Sequence, residues 1–187
     1  MTKYYTVDLV KGLRPFCRII LGGYTPKQPE QAAFLNNLFP AGLSRHGYNY
    51  LYNPGPMMNS SDGVSRSLGT GLIFELVRRS HFPEKPSRYQ SLFACQYIDE
   101  VKQFRNQRAD EDGDDEKKAA PIYEVITSLD VHRGDMNLLD TECPVLELYR
   151  RAYLYWSGES FPLYEGYEPF WEILIPLPVQ IGARVVE

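Results

Sequence analysis

The chain has 187 residues, a length that favours one domain over two. Hydrophobic residues make up 43% of it, which is enough to bury a sizeable core. The formal net charge of -4 argues against a surface built mainly to bind nucleic acid or an anionic membrane, although a local basic patch for nucleic acid is still compatible with it.

The beginning of the chain lacks the apolar core of a secretory signal peptide, and no stretch approaches the roughly 20 apolar residues of a membrane helix. The three cysteines, Cys17, Cys95 and Cys143, are odd in number and far apart, so neither a disulfide framework nor a zinc site is indicated. Together these features predict a cytoplasmic protein with free thiols and no membrane partner.

The first part of the chain begins with two short apolar runs that predict strands over 4–9 and 17–21. Pro29 opens a predicted helix over 29–38, and residues 41–66 form a long irregular stretch rich in Gly, Asn, Ser and Pro. A second helix is predicted over 67–80. The residues expected to face inward on it are Leu68, Leu72, Phe74, Leu76 and Val77.

The later segments are short apolar runs separated by amphipathic stretches. Strands are predicted for 91–94, 122–129, 170–176 and 179–186, and helices for 98–107 and 145–156. Because short strands dominate both ends and helices fill the middle, we expect an α+β fold in a single domain over 1–187.

Residues 109–118 carry six acidic side chains and two lysines, and charges at this density repel one another. We therefore predict a solvated, disordered acidic loop over 109–118. A divalent-cation site is the alternative, but the segment lacks the spacing and the closing Glu of an EF-hand loop.

Several kinds of site are not indicated by any motif. There is no Walker loop, no complete glycine-rich nucleotide fingerprint and no zincin motif. The histidines His46, His81 and His132 are scattered, so we predict no metal site and assign each histidine to an ordinary surface or loop position.

One carboxylate stands out, because Glu172 lies within the most apolar predicted strand. Burying a carboxylate there is costly unless the position opens to water or to a ligand. Two interpretations follow: a charge on a sheet edge that blocks aggregation, or a catalytic carboxylate at the floor of a cleft. Ser91 is a second candidate, since it enters an apolar strand just before a helix; it could equally be a simple turn residue.

These segments resemble the ADP-ribosyltransferase-like superfamily and, more closely, DUF2441, a group of uncharacterised bacterial proteins. The order and spacing of the motifs also look like those of the small rifampicin-modifying ADP-ribosyltransferases. The resembling motifs are IFELVR (73–78), FP (82–83), PSR (86–88), SLFA (91–94), IYEV (122–125), GDMNLL (134–139), YWSG (155–158) and EILI (172–175).

The resemblance implies a compact split β-sheet with flanking helices and NAD as a substrate. In that superfamily an early strand holds NAD through a His or Arg, a middle strand packs beside the nicotinamide, and a late strand carries a catalytic Glu. Carried over to this sequence, the first position falls on Tyr5 and Thr6, the second on Ser91 and Phe93, and the third on Glu172. The first position departs from the pattern, since neither His nor Arg is present there.

The implied chemistry needs no metal, because a fixed carboxylate can stabilise the oxocarbenium character that develops on the ribose as the glycosidic bond breaks. The pyrophosphate of NAD needs a cation, for which Arg88 is the candidate and Arg78 and Arg79 are alternatives. A surface or structural ion pair is the competing role for each of these arginines.

Three functions follow from the sequence. The first is an NAD-dependent mono-ADP-ribosyltransferase acting on a small molecule or on a macromolecule of a host or competitor. The second, motivated by the departure at Tyr5 and Thr6, is a catalytically inactive binding module on the same fold, such as an inhibitor or immunity-type protein. The third is a structural or interaction protein of unrelated fold.

Overall fold

A computed structural model describes residues 1–23, 28–52, 63–140 and 142–186, without the side chains of 63–68. The helices and strands of these residues form an α+β fold, as the sequence predicted. In chain order they are β1 (Thr2–Val7), β2 (Arg18–Ile19), α1 (Pro29–Leu38), α2 (Arg45–Leu51), α3 (Gly63–His81), β3 (Ser91–Ala94), α4 (Ile98–Asp112), β4 (Ile122–Thr127), β5 (His132–Asp135), α5 (Val145–Ser157), β6 (Trp171–Pro176) and β7 (Val179–Arg184).

The strands form two antiparallel sheets, one with the order β1-β4-β7-β2 and the other with the order β3-β6-β5. The sheets pack face to face over an apolar core that includes Tyr4 and Val125 from the first sheet and Ile173 and Ile175 from the second. Since strand side chains alternate between faces, this core uses one face of β6 only.

The other face of β6 is covered by helices. Leu174 packs with Phe74 of α3 and with Ala152 and Trp156 of α5 in a second buried cluster. The indole Nε1 of Trp156 donates a hydrogen bond to the carbonyl of Phe74 at 2.7 Å, which ties the two helices together. Glu172 shares this helix-covered face with Leu174, two residues away along the strand.

The helix over 29–38 and the strands at both ends of the chain agree with the sequence prediction. α3 begins at Gly63 rather than at Ser67, and only part of its predicted inward face is buried. Phe74 and Val77 are buried, whereas Leu72 is 50% exposed and Leu76 is 55% exposed. The prediction was wrong for these two leucines because their side chains point away from α5 and β6.

Two elements were not predicted. α2 (Arg45–Leu51) lies inside the stretch that was expected to be irregular, and its Ser44 cap accepts a hydrogen bond from the amide of Gly47. β5 was missed because its four residues include a glycine and two charged side chains. The part of the irregular stretch at 53–62 lies outside the described residues.

The acidic segment at 109–118, which was expected to be a disordered loop, contains the end of α4 and a 3₁₀ turn. α4 continues to Asp112 and ends at Gly113, whose φ of 62° is in the left-handed region that glycine adopts without strain. A 3₁₀ turn then follows over Asp115–Ala119. Lys117 pairs with Asp112 at 2.6 Å and Lys118 with Asp110 at 2.9 Å, so cations close by offset the repulsion between the carboxylates.

None of the described helices is both long enough and apolar enough to cross a membrane.

Tyr155 of α5 packs tightly against Gly134 of the sheet. Gly134 lies in β5 directly opposite Glu172 of β6. A methyl group added at Gly134 would approach Cε2 of the Tyr155 ring to 2.3 Å, so the ring occupies the space that a side chain would need. Glycine at this position therefore allows a large aromatic side chain to pass over the sheet towards Glu172.

We predict that Gly134→Ala lowers the free energy of unfolding by about 1–3 kcal/mol, because Tyr155 must shift within a close-packed region. Chemical denaturation measures this change. Gly69→Ala on α3 is the control: a methyl group there meets no atom of the described residues within 4 Å, and the helix gains up to about 1 kcal/mol. Equal stability of the Gly134→Ala variant and the wild type would contradict the close contact.

Candidate functional site

Glu172 is a buried carboxylate in the middle of a sheet. Its strand, β6, is hydrogen-bonded to β3 on one side and to β5 on the other, and the residue is 4% exposed. The interpretation of Glu172 as a charge on a sheet edge was therefore wrong. A carboxylate in this position needs bonding partners inside the protein.

The partners of Glu172 are Arg88 and Tyr155. The Nη1 atom of Arg88 contacts Oε1 of Glu172 and also donates to the hydroxyl of Tyr155 at 2.7 Å. The Tyr155 hydroxyl in turn donates to the same Oε1 at 2.8 Å. Burial raises the pKa of Tyr155 well above its ordinary value, so the phenol keeps the proton that it donates.

Local backbone structure places Arg88 above β3. It begins the 3₁₀ turn Arg88–Gln90, which Ser87 caps by accepting a hydrogen bond from the amide of Tyr89 at 3.2 Å. The Arg88 guanidinium lies 4.8 Å from the centre of the Phe93 ring, within the range of a cation–π contact. Burial disfavours its charge, but Glu172 and Tyr155 outweigh that effect and raise the pKa of Arg88.

Each member of the ion pair keeps unused hydrogen-bonding atoms. Within the described residues, Oε2 of Glu172 accepts no hydrogen bond, and neither Nε nor Nη2 of Arg88 donates one. The side chain of Arg88 is 13% exposed and that of Glu172 is 5% exposed, so each keeps a small contact with solvent. The Nε and Nη2 hydrogens form the planar fork with which arginine binds carboxylate or phosphate through two bonds.

A cavity of about 480 Å³ lies in front of Arg88, and this volume is typical of a small-molecule site. Its described wall combines aromatic rings with charged and amide side chains, but Glu172 is not part of that wall. The lining residues are His46, Tyr50, Thr70, Gly71, Arg88, Tyr89, Phe104, Gln107, Arg108, Glu111, Met136, Asn137, Leu139, Asp140, Leu163 and Tyr164.

Three of the residues predicted from the sequence therefore come together: Arg88, Phe93 and Glu172. Ser91 is near them on the same face of β3 as Phe93, yet its hydroxyl is used in a hydrogen bond to the Ser87 carbonyl at 2.7 Å. Ser91 is 2% exposed and does not line the cavity.

The two first-strand candidates lie elsewhere. Thr6 faces the space between the sheets, where its hydroxyl donates to the carbonyl of Phe93 at 2.8 Å. Tyr5 joins β1 to Cys95 through two backbone hydrogen bonds of 2.8 and 2.9 Å. Neither residue lines the cavity, although Thr6 supports the strand that carries Phe93.

The alternative cations have structural partners. Arg78 binds Glu75 through two hydrogen bonds of 3.0 and 2.8 Å. Arg79 binds the same Glu75 at 2.8 Å and the carbonyl of Leu38 at 2.9 Å. Arg88 is therefore the one of the three arginines whose fork is unused.

Two functional residues escaped the sequence analysis. Tyr155 was noted only as part of a motif and of the predicted helix over 145–156; a polar tip on the buried face of that helix was the signal that could have linked it to the odd carboxylate. His46 was assigned to a surface or loop position, but it lies in α2 and lines the cavity. His132 was assigned in the same way, and it is 3% exposed within β5.

Among the described residues, no three His, Cys, Asp or Glu side chains are grouped so that they could hold a metal ion. A family model described as a protein of unknown function (DUF2441) matches residues 54–186. No curated protein matches the chain.

We predict that Arg88→Met lowers the free energy of unfolding by about 3–5 kcal/mol, because it leaves the carboxylate of Glu172 buried without its cation. The double variant Arg88→Met/Glu172→Gln should lose less than the sum of the two single losses, which a double-mutant cycle by chemical denaturation measures. Arg150→Met breaks the exposed pair with Glu147 and should cost less than about 1 kcal/mol. Additive losses at Arg88 and Glu172 would contradict the buried pair.

A second prediction concerns pH. Burial lowers the pKa of His132 from about 6.5 to about 4. Between these two values the unfolded chain binds a proton at His132 that the folded protein does not, so His132 by itself lowers the stability by up to about 3 kcal/mol as the pH falls from about 6.5 to about 4. Unfolding measured across this range should show a smaller loss for His132→Asn. The control is His81→Asn, in which the free energy of unfolding should depend on pH as in the wild type. The same pH dependence in His132→Asn would contradict a neutral buried imidazole at His132.

Proposed function

The chain belongs to the DUF2441 family of proteins of unknown function, and we propose that it is an NAD-dependent mono-ADP-ribosyltransferase. In this proposal it transfers ADP-ribose to a macromolecular or small-molecule acceptor. The observation that carries the proposal is the buried Glu172 in the central strand, fixed through one oxygen and unused at the other, beside an arginine that faces a ligand-sized cavity.

Different parts of the cavity wall suit different parts of NAD. Its rings, which include those of Tyr50, Phe104 and Tyr164, offer flat apolar surface to a base or to nicotinamide. The unused fork of Arg88 matches the oxygens of a pyrophosphate group. Arg108 is in the same wall, but its guanidinium is paired with Glu111 at 2.9 Å. A ligand held by that fork is separated from the Glu172 carboxylate by a single guanidinium group.

In the catalytic step the protein positions the substrate and supplies a negative charge. The bond between the ribose C1 and the nicotinamide nitrogen breaks, and nicotinamide leaves with the electron pair. Oε2 of Glu172 accepts a hydrogen bond from a ribose hydroxyl and stabilises the positive charge that develops on the ring. The acceptor nucleophile then attacks C1 and loses its proton to water.

Arg88 has to change its partner during this step. In the free protein its charge offsets that of Glu172, which would weaken the effect of the carboxylate on the ribose. A pyrophosphate at the Nε and Nη2 fork draws the guanidinium towards the ligand, while Tyr155 continues to hold Oε1. Substrate binding thus exposes the negative charge where the reaction needs it.

Purified protein incubated with NAD should release nicotinamide and, with a suitable acceptor, form an adduct heavier by one ADP-ribose group, both measured by mass spectrometry. Glu172→Gln should lower the rate by about 10²–10³-fold, since it removes the charge that stabilises the transition state. The control is Glu124→Gln, the same change on a strand of the other sheet beside Lys3. The proposal is refuted if a high enzyme concentration produces no nicotinamide and no adduct. Equal rates for Glu172→Gln and the wild type would also refute it.

The second candidate is a binding module without catalytic activity. It is favoured by the direct pairing of Arg88 with Glu172 and by the position of Thr6, whose hydroxyl is engaged with Phe93 rather than facing the cavity. Calorimetric titration distinguishes the two functions. NAD binding that persists in Glu172→Gln, together with no nicotinamide release by the wild type, would favour the binding module.

A further inference from the structure

His46 and Arg88 are brought together by one backbone contact. The amide of Ser44 donates to the carbonyl of Tyr89 at 2.8 Å, which anchors the start of α2 to the turn that carries Arg88. Gly47 makes this approach possible, because a methyl group there would come within 2.3 Å of the same carbonyl oxygen. The residues that flank His46 therefore fix its position relative to Arg88.

Among the described residues, the imidazole of His46 contacts aromatic rings and makes no hydrogen bond. Its centre lies 4.2 Å from that of Tyr50 and 4.7 Å from that of Phe93, the ring beneath Arg88. Neither ring nitrogen makes a hydrogen bond to a described residue, and neither is a fully buried atom without a partner. A histidine that only filled the core would normally have its nitrogens satisfied by the protein.

The environment also keeps this ring uncharged. Burial and the nearby guanidinium groups of Arg88 and Arg108 lower the pKa of His46 to about 3. A neutral imidazole offers one N–H donor and one acceptor nitrogen, so it suits a hydroxyl or an amide, whereas the unused Nε and Nη2 of Arg88 suit an anion. Arg108 is already paired with Glu111 at 2.9 Å, so the anion depends on Arg88. The cavity therefore combines a site for negative charge with an adjacent site for an uncharged polar group.

We propose that His46 is a ligand-contacting residue that determines specificity, binding a hydroxyl or carboxamide group of the ligand whose anionic group Arg88 holds. The choice of NAD as the ligand rests on the proposed function. The pairing of an anion with an uncharged polar group rests on the cavity itself. Ligands that carry only one of the two groups should bind more weakly than those that carry both.

Nitrogen-15 NMR of the histidine side chains tests this, because the chain has three histidines. Titration with NAD should shift a ring nitrogen of His46 and leave His81 unchanged, since His81 bonds to the hydroxyl of Tyr149 and does not line the cavity. Spectra of His46→Phe and His81→Phe provide the assignments. Inorganic pyrophosphate, which lacks the uncharged polar group, should bind equally well to His46→Phe and to the wild type.

Calorimetry on the same variants supplies the second measurement. His46→Phe keeps a ring between Tyr50 and Phe93 but loses both polar atoms, so NAD binding should weaken by about tenfold, the effect of one lost hydrogen bond. His46→Asn, which keeps a donor and an acceptor, should recover part of the affinity. His81→Phe should bind NAD as tightly as the wild type.

The outcomes separate this inference from the proposed function. NAD binding with an unshifted His46 and undiminished affinity in His46→Phe overturns the role of His46 and leaves the catalytic proposal standing. NAD binding that depends on His46, without nicotinamide release, supports the contact and overturns the catalytic activity. If NAD does not bind the wild type at all, both proposals fail.

Discussion

Burial of a charge inside a sheet is the constraint on which the rest of the site depends. Moving an ionised carboxylate out of water costs far more hydration free energy than one hydrogen bond restores. Glu172 therefore requires both a cation and a neutral donor. Arg88 and Tyr155 supply them, and each depends on other features of the chain. Arg88 depends on the capped turn before β3, and Tyr155 depends on the missing side chain at Gly134.

The same constraint leaves the site incompletely satisfied. If both oxygens of Glu172 and all three nitrogens of Arg88 were bonded within the protein, the pair would be a purely structural element like the one formed by Glu75, Arg78 and Arg79. The two clusters contrast within one fold. Glu75 is bonded at both oxygens, also accepting from Ser87 at 2.8 Å, whereas Glu172 is bonded at one. That difference is consistent with the role proposed for Glu172, because one of its oxygens is not used within the described residues.

The sequence predicted most of the elements and part of the site. Periodicity located α1 and α5, and the odd placement of Glu172 in an apolar run identified the central carboxylate, because local patterns report burial well. It did not locate His46, which reaches the cavity through a long-range contact between Ser44 and Tyr89. Composition also did not reveal that α4 extends into the acidic segment, where ion pairs of Lys117 and Lys118 offset the repulsion between the carboxylates.

The two faces of β6 have different roles: one packs in the core and the other carries Glu172. Ile173 and Ile175 form the core between the sheets, while Glu172, on the opposite face, belongs to the site. The carboxylate thus lies on the central strand of the three-stranded sheet, whereas much of the cavity wall comes from α2, α4 and the segment around Tyr164. Substitutions in those peripheral segments can change which ligands the cavity binds without disturbing the sheets. Ligand selectivity can therefore change while the position of Glu172 is kept.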